Sequence, residues 1–115
     1  MAFDKQVTIP SDGTYKLSEN IKKYTLGDLG FVTNPAGVHV LHRALEPEKA
    51  LNNAIQLKIS INRELTGFKI STVSAGDVVR VDIFKNKNAD EIVTLYRFFI
   101  DELMTRGVLE RVNND

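Results

Sequence analysis

The chain has 115 residues, no cysteine, and 15 basic residues against 15 acidic ones, so its formal charge is zero. That length suits a single domain over residues 1–115, able to bury about two-thirds of its unfolded surface without a disulfide or a metal. The missing thiols exclude cysteine nucleophiles, thiolate zinc sites and any persulfide carried on the protein.

The first 57 residues hold six charges of each sign and the remainder nine of each. No basic segment supplies the counterion release that drives nucleic-acid binding, which makes nucleic acid a disfavoured partner. The opening stretch "MAFDKQVTIP" lacks the apolar centre of a signal peptide. No apolar run approaches about 18 residues, so the expectation is a cytoplasmic chain with no membrane partner.

In chain order, Phe3, Val7 and Ile9 alternate with polar neighbours and predict a first strand, closed by Pro10-Ser11-Asp12-Gly13. Tyr15 and Leu17 predict a short second strand, and Ser18 a helical turn through Ile21. "TLGDLGF" predicts a short helix with Thr25 and Asp28 as a capping box, Leu26 and Leu29 facing a core, and Gly30 as the stop.

"FVT" and "VHVLHRAL" flank Asn34-Pro35-Ala36-Gly37 and predict a hairpin. Pro47 opens a second short helix, "PEKALNNA". "IQLKISINR", "FKISTV" and "VVRVDIFK" predict a three-stranded meander. Arg63 then faces Phe68, Val73 faces Val78, and Lys69 lies across from Asp82. In that register Ile59, Ile61, Ile70, Val79 and Val81 point inward, while Val73, Val78 and Phe84 point outward.

One long helix follows, about Ala89 to Arg106, with Asn88 as its cap and Gly107 as its stop. Ile92, Leu95, Tyr96, Phe99, Ile100 and Leu103 share its apolar face. Arg97–Asp101 and Glu102–Arg106 pair on its polar side. The fold class is α+β: a curved antiparallel sheet with this helix and the short helices packed on one face.

Few residues suggest chemistry. His39 and His42, three apart, would share a helix face, but on a strand they point to opposite sides and cannot ligate one metal. His39 then goes outward with Arg43, and His42 is a partly buried structural imidazole. No phosphate loop, dinucleotide-binding glycine pattern, nucleophile elbow or zinc-protease helix is present. No catalytic residue, metal ligand or cofactor is assigned.

The candidate contacts are His39, Arg43, Arg63, Arg80, Phe84 and Phe98. Arg63 would rim a cleft between sheet and helix. Phe84 lies on the sheet's outer face. Phe98 falls in the polar arc of the long helix, where it either contacts a partner or a second copy in a homodimer or packs under a neighbouring loop.

The run "YTLGDLGF…GVHVLHRALEP", together with the length and the long C-terminal helix, resembles the domain of unknown function 1831 family of Firmicutes. The resemblance implies a TATA-binding-protein-like fold and no catalytic residues to carry over. It also implies an accessory role in sulfur transfer, beside a cysteine desulfurase or a tRNA-thiolation enzyme. Without cysteine such a role is that of a scaffold or regulator.

The leading functional expectation is therefore a non-catalytic interaction protein. The alternatives are a small-molecule binding module using a cleft between sheet and long helix, and RNA binding through Lys58, Arg80 and Arg43.

Overall fold

The computed structural model describes residues 3–46, 48–50, 53–75 and 79–112. Its order is β1 (Gln6–Ile9), β2 (Gly13–Leu17), α1 (Lys23–Leu29), β3 (Val32–Thr33), β4 (His39–Ala44), β5 (Gln56–Ile61), β6 (Phe68–Val73), a 3-10 turn (Ile83–Lys85), α2 (Ala89–Thr105) and β7 (Leu109–Val112). The α+β class is as expected. The described strands form two antiparallel sheets rather than one, ordered β1-β2-β7 and β3-β4-β5-β6.

The hairpin of β1 and β2 turns at Ser11, whose φ of 70° places it in the left-handed region. At Ser18 the chain makes a turn instead of a helix: the Ser18 hydroxyl accepts from Asn20 N, and Ile21 N donates to Ser18 O. α1 starts two residues before the predicted cap. Thr25 N donates to Lys22 O, so Thr25 lies inside the helix and no capping box forms. The other end is as predicted, with Leu26 and Leu29 buried and Gly30 at φ 101°.

The β3–β4 hairpin is organised by Asn34, whose side-chain oxygen accepts from the N–H groups of Ala36 and Val38. The helix read from Pro47 includes residues 47, 51 and 52, which lie outside the described residues. The loop around it is tied by Glu46, which accepts from Ile55 N at 2.9 Å and pairs with Lys49 at 3.1 Å. That backbone hydrogen bond is the main reason the Glu46 carboxyl sits below its usual pKa.

The meander differs from its predicted register. β5 pairs with β6 as Ile61–Phe68, Ile59–Ile70 and Leu57–Thr72. The Asn62 side chain accepts from Thr66 N and Gly67 N, and Leu65 takes φ 59°, so the turn occupies residues 63–66. Moving the turn by one residue on both strands shifts the pairing by two. The same side chains therefore still face inward.

The described part of "VVRVDIFK", residues 79–85, forms no third strand. It touches β6 through a single bridge, Val73–Arg80. Asp82 then accepts from Phe84 N and pulls the chain into the 3-10 turn, burying Ile83. Lys69 consequently lies opposite Ser60, not Asp82, with its ammonium 4.6 Å from the Phe3 ring centre. Val73 keeps its predicted side of the strand, with Lys69 and Ser71, but is buried there, whereas Val79, predicted inward, is 60% exposed; Val78 lies outside the described residues.

α2 buries Ile92, Tyr96, Ile100 and Leu103. They join Tyr15, Leu41, Leu57, Ile59, Ile61 and Phe68 in one core cluster. Gly107, at φ 77°, ends the helix and turns the chain into β7 alongside β2. Among the described residues no helix is long and apolar enough to cross a membrane.

Candidate functional site

Three arrangements bring polar chemistry together. The first is a clasp around Asp12, in the turn after β1. Its side chain is fully buried. One carboxylate oxygen accepts from the hydroxyls of Tyr15 (2.6 Å) and Tyr96 (2.7 Å), and the other from Arg97 (3.0 Å). Arg111 donates to the Asp12 backbone oxygen at 2.7 Å and lies over the Tyr15 ring.

Burial, and then the hydrogen bond to Asp12, push both phenols above their ordinary pKa, so they remain protonated donors. The clasp joins β2, α2 and β7 to the first turn. Both carboxylate oxygens and both phenol hydroxyls are engaged in these bonds, so the clasp acts as a holding device. Arg97 is thereby drawn away from the predicted pair with Asp101.

The second is a cleft of about 590 Å³ between β1, the edge of β6 and the segment 80–84. Val7, Ile9, Ile70, Val81 and Phe84 give it a half-buried apolar lining. Asp4, Lys69, Arg80 and Asp82 place charges of both signs around it. Tyr96 reaches it from α2, edge-on to Phe84 with ring centres 5.9 Å apart. The third is a groove on the other face of the four-stranded sheet, lined by Val32, Val38, Val40, His42, Lys58 and Lys69 among others.

The candidate residues scatter across these features. Arg80 and Phe84 meet in the cleft. Phe84 does so because the 3-10 turn aims it at Tyr96 rather than at the sheet's outer face. His39 is not outward. It is 7% exposed, on the core side of β4 opposite Ile61. Its Nδ1 lies 2.8 Å from the Thr33 hydroxyl, and its Nε2 is buried without a hydrogen-bond partner. Burial, with the Lys23 charge, lowers its pKa.

Arg43 reaches the end of α1, where its guanidinium donates to Leu29 O at 2.5 Å and borders the outer groove. Arg63 lies in the β5–β6 loop, its stem against Gly37 and away from the cleft, because the turn begins one residue earlier than predicted. Phe98 is 58% exposed, its ring edge-on to Phe99 at 5.5 Å and apart from the cleft. Arg43 and Lys58 line the outer groove and Arg80 the cleft, so the three cations expected for RNA share no single surface.

Sequence reasoning did not single out Asp12, Tyr15, Tyr96, Arg97 or Arg111. Their partners are up to 99 positions apart, and only the meeting of both chain ends reveals them. β7 left no period-two signal, since the apolar and polar residues of "VLERV", directly after the Gly107 stop, do not alternate. Among the described residues no group of three or more His, Cys, Asp or Glu side chains is placed to hold a metal ion.

No curated protein matches the chain. A crystal structure of a DUF1831 family protein from Lactobacillus plantarum is 38% identical in sequence, with a TM-score of 0.86. The match covers 97% of this chain and 99% of that one. The family model for DUF1831, described as putative amino acid metabolism, matches residues 1–110. With nearly the whole chain matched in sequence and in structure, the protein belongs to the DUF1831 family.

Proposed function

We propose that this protein binds a small zwitterionic metabolite of the amino-acid class in the cleft between β1 and β6. The observation that carries the reading is the cleft itself. Its 590 Å³ falls within the range of small-molecule sites, and its charges of both signs border an apolar lining. Arg80 and Lys69 suit a carboxylate, Asp4 and Asp82 an ammonium, and Val7, Ile9 and Val81 an aliphatic side chain. The family's description, putative amino acid metabolism, points the same way.

The test is a ¹H–¹⁵N titration with a panel of free amino acids and their derivatives. Shifts confined to Thr8, Ile70, Val81 and Ile83 are the expected result. A panel that leaves those amides unmoved overturns the reading.

A second reading is an accessory protein of a cysteine desulfurase in the cytoplasm, acting non-covalently. Exposed Phe98 on α2, with the Phe99 ring edge-on beside it, is the surface such a partner would contact. A TATA-binding-protein-like curvature of the sheet belongs to the same reading, as a surface offered to a partner. Co-purification of tagged protein with the desulfurase, lost in Phe98→Ser, is the expected outcome. Recovery of this chain alone, with no change in desulfurase rate on addition, overturns it.

A further inference from the structure

We infer that the cleft's ligand is a short peptide of two or three residues, read by the backbone of Ile70. The inference rests on the proposed amino-acid-class site and narrows its ligand. β6 ends its sheet, and β5 is its partner on one side only. In an antiparallel pair, successive residues direct their N–H and C=O groups alternately toward one side and the other. Phe68 N donates to Asp4 O at 2.9 Å, and Phe68 O accepts from Asp4 N at 3.2 Å, so the backbone groups of Phe68 point away from β5. Thr72, four residues on, accepts from Val81 N at 2.8 Å on the same side.

Ile70 lies midway and in phase with both, so its N–H and C=O leave the same edge. Among the described residues no segment pairs with them. Among the described residues the edge is covered at Phe68 by Asp4 and at Thr72 by Val81, and stands open between. Lys69, Ile70, Ser71 and Thr72 all line the cleft, which places the open edge along its wall.

An extended residue set opposite Ile70 would accept from its N–H and donate to its C=O, the mode in which sheets capture peptides. The span from Phe68 to Thr72 is about 13 Å, which holds two or three extended residues and stops a longer strand at Asp4 and Val81. Each end of the window carries both signs of charge, Lys69 with Asp4 and Arg80 with Asp82. A peptide's separated termini reach both ends. A free amino acid, with its charges one residue apart, reaches only one.

The experiment is a ¹H–¹⁵N titration of the full chain with trialanine, free alanine, and trialanine methylated on its central nitrogen. The expected result is that trialanine shifts the Ile70 and Ser71 amides and binds about tenfold more tightly than alanine, with methylation removing about tenfold. Arg80→Gln, at an exposed position, weakens trialanine by a similar factor and leaves the rest of the spectrum in place. Equal binding of alanine and trialanine in the cleft overturns the peptide inference and leaves the amino-acid site standing. Equal binding of methylated and unmethylated trialanine overturns the pairing with Ile70. Silence of the cleft amides toward all three ligands overturns the inference and the site together.

Discussion

At the scale of single residues, Asp12 concentrates more of the fold's polar bonding than any residue the sequence pattern highlights. Its buried carboxylate holds two phenols and an arginine, and its backbone oxygen holds a second arginine. Removing it strands two buried hydroxyls, each costing about 1–3 kcal/mol. Asp12→Ala is therefore expected to lower stability by about 3 kcal/mol in urea unfolding, and Arg111→Ala, at a half-exposed partner, by less.

His39 makes a prediction about pH. Its folded pKa is lowered from 6.5, so the unfolded chain binds the proton more readily. Stability should then be constant at higher pH and fall as pH drops below about 6.5. His39→Leu should flatten that dependence between about pH 5 and pH 7, measured by denaturation at each pH. An unchanged slope in the variant would place the dependence on other groups.

At the scale of elements, turn chemistry decides where strands begin and end. Gly30 stands at φ 101°, and a Cβ there would lie 2.5 Å from the Arg43 guanidinium that closes α1. Gly30→Ala should cost about 1–2 kcal/mol through backbone strain, and more if Arg43 is displaced from Leu29 O. Asn62→Ala removes the acceptor for Thr66 N and Gly67 N. It should cost about 1–2 kcal/mol and loosen the β5–β6 register, seen as faster amide exchange at Ser60 and Lys69.

The same turn explains what the sequence could and could not show. Alternation identified β5 and β6 and the side chains that face inward, because period-two burial survives a shift of two. It could not choose between two four-residue turns. The choice came from Asn62 folding back on its own loop. "VVRVDIFK" has a strand's composition, yet Asp82 captures Phe84 N and diverts it, a local competition that periodicity does not register.

At the scale of the molecule, the two sheets share one core, and the two ends of the chain meet in one of them. β7 pairs with β2, buries Leu109 and brings Arg111 to Asp12. Truncation after Gly107 should leave a chain without a cooperative thermal transition, whereas Phe98→Ser, at an exposed position, should unfold as the parent does. Calorimetry of the two variants checks both outcomes.

The cleft also belongs to this scale. Arg80 and Phe84 were legible as candidates, but their neighbours Asp4, Val7, Ile9 and Ile70 come from other elements. Only the splaying of β1 from β6 sets them around one space.

The sequence by itself determined the elements whose signals are local: the amphipathic long helix, the glycine stops at Gly30 and Gly107, the Asn34 hairpin and the inward rows of β5. It also excluded thiol chemistry, which follows from composition alone. Tertiary structure alone decided which way β4 faces, sending His39 inward and the Arg43 guanidinium to the end of α1, and joined the chain ends through Asp12. Among the described residues it also left the edge of β6 open at Ile70. Those outcomes depend on which surfaces meet across the core, and a pairing between positions far apart leaves no periodicity at either one.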